Sequence, residues 1–532
     1  MRQSDEWWRG SVTYQIYPRS FMDSNGDGIG DLKGIAEKLG HVASLGVDAI
    51  WFSPVFPSPM KDMGYDVSDY LGIDPVFGTM ADFDAIIARA HALGLKVIID
   101  MVISHASDQH PFFQQSRQSR DNPRADWFVW ADAKLEGSPP NNWQSIFGGP
   151  AWQWDPLRKQ YYLHNFLKEQ PDWNFHNPDV QDYLLGVMRF WLERGVDGFR
   201  LDTVNYYFHD KLLRDNPGNY LDWSQDAFRP YDMQYCLFSK SQPENLAFME
   251  RIRSVMDEFD ARATVGEVGD THHSIEIMGQ YTSGKRLNMA YSFDLLGPNY
   301  APDFFRSRIE EFFRKAPEGW PCWAFSNHDV PRHVSRFIPH AKDRDALAKQ
   351  SAALLLSFKG SVCLYQGEEL GQTDTELEFH ELTDPEAINF WPHTKGRDGC
   401  RTPMVWQVDK PNGGFSIANR TWLPVKPPQL ARAVDTQEAP GSVLNFYREI
   451  LALRRAERDL RLGEIAFLDL PEPVLGFTRG TELVCVFNLS AQTVACDMSG
   501  ALLPLLAQGA KVTDDKVDLA ANGFLIARRT PN

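Results

Sequence analysis

Residues 80–95, MADFDAIIARAHALGL, run straight into Lys96-Val97-Ile98-Ile99-Asp100. Apolar side chains at 83, 86, 87, 90 and 93 recur at helical spacing, and a short apolar run closed by an acid follows. The first stretch predicts an amphipathic helix and the second a buried strand. Upstream, Ala49-Ile50-Trp51-Phe52 reads as another buried strand, and Ser11 to Tyr17 as one before it. Buried strands alternating with amphipathic helices belong to a parallel sheet covered by helices.

Downstream the alternation breaks. Residues 107–172 are rich in Pro, Asn, Gln and Trp with little period, and a long irregular insertion in such an array is usually functional. The pattern resumes with a helix over 181–194 and the strand Gly198 to Asp202. Further strands are read at Ala263–Glu267, Leu287–Phe293, Cys322–Ser326 and Ser361–Tyr365. Eight strands in all predict a (β/α)8 TIM barrel. After Arg461 only short strands and turns remain, such as Val474–Thr478 and Leu483–Phe487, which predicts an all-β C-terminal domain. The expected division is barrel 1–103, inserted loop-rich domain 104–172, barrel 173–459 and a C-terminal β-sandwich 460–532.

The chain has 532 residues, 43% hydrophobic and 23% charged, with a formal net charge of -17. No basic patch answers to a polyanion, so nucleic acid is not an expected partner. Sixteen Trp and 13% aromatics suit a sugar-binding cleft, although a large core needs them too. The six cysteines, Cys236, Cys322, Cys363, Cys400, Cys485 and Cys496, have no metal or framework spacing and read as reduced thiols. The polar start of the chain carries no secretory signal and no run spans a membrane, so a cytoplasmic protein, monomer or homodimer, without membrane partner or organic cofactor is expected.

Three acids stand at strand ends: Asp202, Glu267 and Asp329, the last just past Ser326. The plain reading of one strand-end acid is a helix N-cap. Three gathered on the C-terminal face of a barrel supply what glycoside cleavage needs: a nucleophile, a proton donor and a third carboxylate for sugar and developing charge. Arg200 lies two residues before Asp202, on the same face of the strand, where it can keep the nucleophile ionised.

The sequences around these acids, Asp197-Gly198-Phe199-Arg200-Leu201-Asp202, Gly266-Glu267-Val268 and Asn327-His328-Asp329, resemble three central motifs of the α-amylase superfamily, glycoside hydrolase family thirteen. Asp100 to His105 resembles a fourth, and Gln170-Pro171-Asp172-Trp173-Asn174 resembles the QPDLN segment of the α-glucosidase and oligo-1,6-glucosidase branch. The resemblance runs from Trp7 to at least Arg401. It implies Asp202 as nucleophile, Glu267 as general acid/base and Asp329 as transition-state stabiliser, with His328 on the sugar hydroxyls. It further implies Asp100 and His105 around the glucose, Tyr65 as its aromatic platform, and Phe147 and Phe166 as flanking walls. Asp62 and Arg401 resemble the pair that closes the pocket over the 4-hydroxyl of a terminal glucose. Thr203, next to the nucleophile, sits where the branch sets linkage preference. Ser104 replaces the usual Asn ligand of an interdomain calcium, which is therefore not expected, and Trp173 replaces the Leu of QPDLN.

The loop Asp23-Ser24-Asn25-Gly26-Asp27-Gly28-Ile29-Gly30-Asp31 has oxygen side chains at alternate positions and Gly for the turn, the pattern of a calcium loop. Position twelve is Gly34 rather than the bidentate Glu of an EF-hand, and a loop of Asx turns without metal gives the same pattern. The resemblance implies one structural Ca²⁺ or Mg²⁺ held by Asp23, Asn25, Asp27, the Ile29 carbonyl and Asp31. The expected activity is that of a retaining, exo-acting α-glucosidase on short α-1,4-glucosides such as maltose, with transglucosylation. The alternatives within the family are a sucrose hydrolase or glucosyltransferase and an oligo-1,6-glucosidase. A catalytically dead homologue is disfavoured because all three acids are present.

Overall fold

The computed structural model describes residues 6–219, 227, 229–498, 500–513 and 516–530. Its centre is formed by β1 Val12–Ile16, β2 Ala49–Phe52, β3 Lys96–Met101, β4 Gly198–Leu201, β5 Ala263–Val268, β6 Met289–Ser292, β7 Cys322–Trp323 and β8 Ser361–Tyr365. These strands pair in parallel in the order β7-β8-β1-β2-β3-β4-β5-β6. A parallel bridge between Ala290 and Pro321 joins the two ends of that order, making the eight-stranded barrel. All eight strands lie where the sequence predicts them. Ala49, Trp51, Ile98, Val265, Met289, Cys322 and Cys363 pack together in its interior.

The helices form for local reasons. α1 (Leu32–Leu45) starts at Asp31, whose carboxylate accepts the Gly34 amide. α2 (Met80–Ala92) starts with a reciprocal Thr79–Asp82 capping box and buries Phe83, Ile86, Ile87 and Ala90. Leu93, expected on the same buried stripe, is 38% exposed, because the helix ends at Ala92 and Gly94 (φ +79) turns the chain toward β3. α3 (Pro178–Glu193) begins three residues before the expected start, with Asn177 as cap and Pro178 in its first turn. Below the strands, buried Asp197 accepts from His91 (2.6 Å), Lys96 (2.9 Å) and the Val97 amide (2.9 Å), tying the starts of β3 and β4 together.

The insertion after β3 is less irregular than its sequence. It holds the helix Pro111–Ser116 and a three-stranded antiparallel sheet of Trp130–Ala131, Gln160–Leu163 and Trp152–Asp155. Strands of two to four residues are too short to show a period, and their stability comes from aromatic packing such as Trp143 against Trp152. Trp173, the departure in the QPDLN-like segment, stacks on Phe128 at 4.3 Å and so pins the returning chain.

The helical layer runs past the expected boundary at residue 459, since Arg458–Leu462 is helical. The C-terminal domain is all-β, as predicted, and its six described strands are joined by hydrogen bonds into one continuous sheet. The long strand Lys516–Arg529 explains this, pairing with three partners: Leu483–Asn488, Val494–Asp497 and Leu502–Thr513. Gln350 on the barrel donates to the Asn488 and Gly523 carbonyls and docks this sheet. Among the described residues no helix is long and apolar enough to cross a membrane, and all six cysteines are free.

Candidate active site

The site is assembled on Arg200, which β4 carries fully buried into the barrel mouth. Its guanidinium meets three carboxylates: Asp100 at 2.9 Å from β3, Asp202 at 2.5 Å just past β4, and Glu267 at 2.6 Å from β5. The Tyr291 hydroxyl accepts from Arg200 Nη2 (2.8 Å) and donates to Glu267 Oε1 (3.0 Å). Asp100, Asp202, Glu267 and Asp329 therefore converge at the strand C-termini, as the sequence predicts. One cation cannot neutralise three buried anions. Burial accordingly pushes Glu267 up to about 8 and both Asp202 and Asp100 up to about 7, Arg200 opposing the rise in each case. Glu267 is the group that best keeps its proton.

Thr203 has φ 40 and ψ 48, a left-handed conformation that a β-branched residue rarely adopts. The strained turn aims its amide at Glu267 Oε2 (3.0 Å). Its hydroxyl donates to Asp202 Oδ2 (3.2 Å) and bonds Ser104 Oγ (2.8 Å). Ser104 thus takes part in side-chain bonding around the site.

Asp329 differs from the other acids. Burial alone would raise it, but His328, Arg401 and Arg397 hold it down to about 2, so it is a stable anion. The Arg401 and Arg397 contacts measure 3.1 and 3.5 Å. Tyr65 stacks on His328 with ring centroids 5.2 Å apart and donates to Asp100 at 3.0 Å. His105, held by burial down at about 4, bonds the Tyr65 carbonyl at 2.9 Å.

The expected Asp62–Arg401 pair is not formed. Asp62 pairs with Arg397 at 2.8 Å, and Arg397 is braced by Asp384 at 2.7 Å. Arg397 and Arg401 are one helical turn apart at the ends of the short helix Asp398–Arg401. The first reaches the cavity. The second points beneath it, donating to the His328 carbonyl at 2.7 Å and lying over the Tyr17 ring.

These residues line a cavity of about 380 Å³. Asp62, Arg397, His105, Tyr65, Phe147 and Phe166 line it together with Asp202, Glu267, Asp329 and Thr203. Asp100, Arg200, His328 and Arg401 stand behind this wall, holding the lining groups. The sequence reading missed Arg397, Tyr206, Tyr231 and Lys240. Lys240 is buried and donates to the Tyr231 hydroxyl at 3.0 Å and the Gly269 carbonyl at 2.7 Å. No motif marks these residues, because Tyr206, Tyr231 and Lys240 come from the irregular chain after β4 and Arg397 from that after β8.

In the loop after β1, the side-chain oxygens cap backbone amides. Asp23 accepts from Asn25, Gly26 and Gly28, Asn25 from Asp27, Asp27 from Ile29, and Asp31 from Ser24 and Gly34. Gly28 is required there: its φ is +91, and a Cβ would lie 2.3 Å from the Arg420 carbonyl oxygen. Among the described residues no three His, Cys, Asp or Glu side chains are gathered to hold a metal ion.

Residues 15–463 match the family description "Alpha amylase, catalytic domain". A probable α-glucosidase of Rhizobium meliloti (strain 1021) is 56% identical over 536 residues, covering 98% of this chain and 97% of that protein. An oligo-1,6-glucosidase of Heyndrickxia coagulans is 37% identical over 536 residues, covering 92% and 94%. The crystal structure of an α-glucosyl transfer enzyme, 49% identical, aligns with a TM-score of 0.95 over 98% of this chain and 99% of that one. With the barrel, the strand-end acids and these matches in agreement, the chain belongs to the α-amylase family of glycoside hydrolases.

Proposed function

We propose that the chain is a retaining, exo-acting α-glucosidase that cleaves short α-1,4-glucosides such as maltose, with glucosyl transfer as a side reaction. The observation that carries this reading is one guanidinium, Arg200, bonded to Asp202 at 2.5 Å and Glu267 at 2.6 Å beside a cavity. Carboxyl groups sharing one guanidinium stand close together, in keeping with the separation of about 5 Å that excludes a water between them and favours a covalent intermediate. The Asp62–Arg397 pair supports exo action, since it blocks one end against a longer chain. The transfer enzyme of similar structure supports transfer to a sugar hydroxyl.

In the proposed reaction Asp202 Oδ2 attacks the anomeric carbon while Arg200 holds Oδ1. The glycosidic bond breaks, its electron pair stays on the leaving oxygen, and Glu267 protonates that oxygen. Arg200 and Tyr291 occupy Glu267 Oε1, and the Thr203 amide occupies one side of Oε2, so the free side of Oε2 is where the proton sits. In the second half Glu267 takes a proton from water or from a sugar hydroxyl. That oxygen then bonds to the anomeric carbon and releases Asp202. Asp329, kept anionic, faces the positive charge that develops on the ring.

With Asp202 required as anion and Glu267 as acid, activity should rise as the nucleophile ionises through about 7 and fall as Glu267 loses its proton through about 8. Glu267→Gln should lose maltose turnover by roughly a thousandfold or more, yet still be glycosylated by a glucoside with a good leaving group, without the alkaline fall. Rapid-quench kinetics across pH checks this. Normal maltose turnover, or an unchanged alkaline limb, would remove Glu267 from the acid role.

Linkage preference is proposed to rest on Thr203. Replacing its hydroxyl by a methyl removes a contact worth roughly 0.5–1.5 kcal/mol. Wild type should prefer maltose to isomaltose, and Thr203→Val should shift the ratio of kcat/KM by a few-fold to about tenfold. An unchanged ratio would mean that loops alone set linkage.

The loop at 23–31 is proposed to hold one structural Ca²⁺ or Mg²⁺ through Asp23, Asn25, Asp27, the Ile29 carbonyl and Asp31. Hard oxygen donors at alternate positions suit either ion, which would add cross-links to a loop already closed by its own amides. Chelation and Asp27→Ala should each lower the melting temperature. If neither moves it, the loop is a set of Asx turns.

A further inference from the structure

We propose that Gln15 is a positioning residue for His328: its side-chain amide donates to Nδ1 and holds the ring in the tautomer with the proton on Nε2, toward Asp329. The effect on turnover rests on the glucosidase reading; the tautomer does not.

His328 is 1% exposed and has no rotational freedom. Tyr65 stacks on it at 5.2 Å, Tyr17 at 5.7 Å, and Trp51 meets it edge-on at 6.0 Å. The placement of its proton is the freedom that remains. Nε2 faces the Tyr65 hydroxyl oxygen and, at 3.3 Å, Asp329 Oδ2. The Tyr65 hydroxyl spends its own hydrogen on Asp100 Oδ2 at 3.0 Å, so its oxygen can only accept. Asp329 is an anion and also only accepts. Two acceptors at one ring nitrogen require a hydrogen there.

Burial keeps the ring neutral, against the pull of Asp329 and in step with the repulsion from Arg401, Arg200 and Arg397. A neutral ring protonated at Nε2 carries a lone pair at Nδ1, which needs a donor. The Gln15 Nε2 atom lies 2.7 Å away, its second hydrogen reaching Ser53 Oγ at 3.2 Å. The flipped amide would set its oxygen against that lone pair. The amide therefore keeps this orientation even though Gln15 Oε1 has no protein partner. Gln15 sits at the end of β1, next to β2 and β8 in the barrel wall, which fixes its reach.

The consequence is electrostatic. A neutral Nε2–H donor leaves the Asp329 charge intact for the proposed transition state. Gln15→Glu would offer Nδ1 an acceptor, call in a second proton and set an imidazolium against Asp329.

The test is ¹⁵N NMR of protein with ring-labelled histidine, the His328 signals being assigned by their loss in His328→Asn. Wild type at neutral pH should show an unprotonated-type Nδ1 and a protonated-type Nε2 for His328. In Gln15→Glu both should become the protonated type, and kcat should fall about tenfold or more while KM changes less. Gln15→Leu, with no new charge, should lower kcat without making the ring cationic. A protonated Nδ1 in wild type overturns the proposal whether or not any variant folds, and so does a Gln15→Glu protein with the wild-type ¹⁵N pattern. Because the NMR needs no substrate, its failure is distinct from a failure of the glucosidase reading.

Discussion

Everything at the barrel mouth depends on the charge of one buried side chain. Arg200 is the only cation touching Asp100, Asp202 and Glu267 together among the described residues. Burying a charge is costly unless it is paired. In the proposed mechanism the shortage of positive charge has a use. Burial raises both Glu267 and Asp202, Glu267 further, against the direct contact that Arg200 makes with each. A second arginine on this cluster would favour the ionised form of Glu267, and no arginine would favour the protonated form of Asp202.

Asp329 shows the opposite solution a short distance away. It is served by Arg401 and Arg397, and its pKa is low where those of Asp202 and Glu267 are high. Environments that push neighbouring acids apart let one site hold the proposed acid, nucleophile and permanent anion at the same pH. The division of labour between the two arginines follows. Arg401, below the cavity, pairs with Asp329, and Arg397, at its wall, binds Asp62 as well. Thr203 carries a left-handed backbone into the site, and its amide there reaches Glu267.

The barrel was legible in the sequence because short buried runs recur eight times, with clear helical period between some of them, and the three acids stood out because strand ends converge in any such barrel. What failed has local causes. Residues 397 and 401 are one turn apart, so either arginine fits the spacing, and tertiary contacts separate them: Tyr17 and the His328 carbonyl hold Arg401, and Asp384 braces Arg397. The small sheet at 130–163 hides in strands of two to four residues, too short for an alternation to show. The continuity of the C-terminal sheet depends on one strand pairing with three partners, which no local pattern encodes. Gln15 was legible only as part of a strand, since its meaning lies in a histidine more than 300 positions away.

The central claim is a covalent double displacement by two carboxyl groups on one guanidinium. Its most direct test is the anomer released first. Proton NMR during early maltose hydrolysis, before mutarotation, should show the glucose from the non-reducing end appearing as the α-anomer. Initial β-glucose would mean that water attacks directly from the opposite face, and would contradict the account.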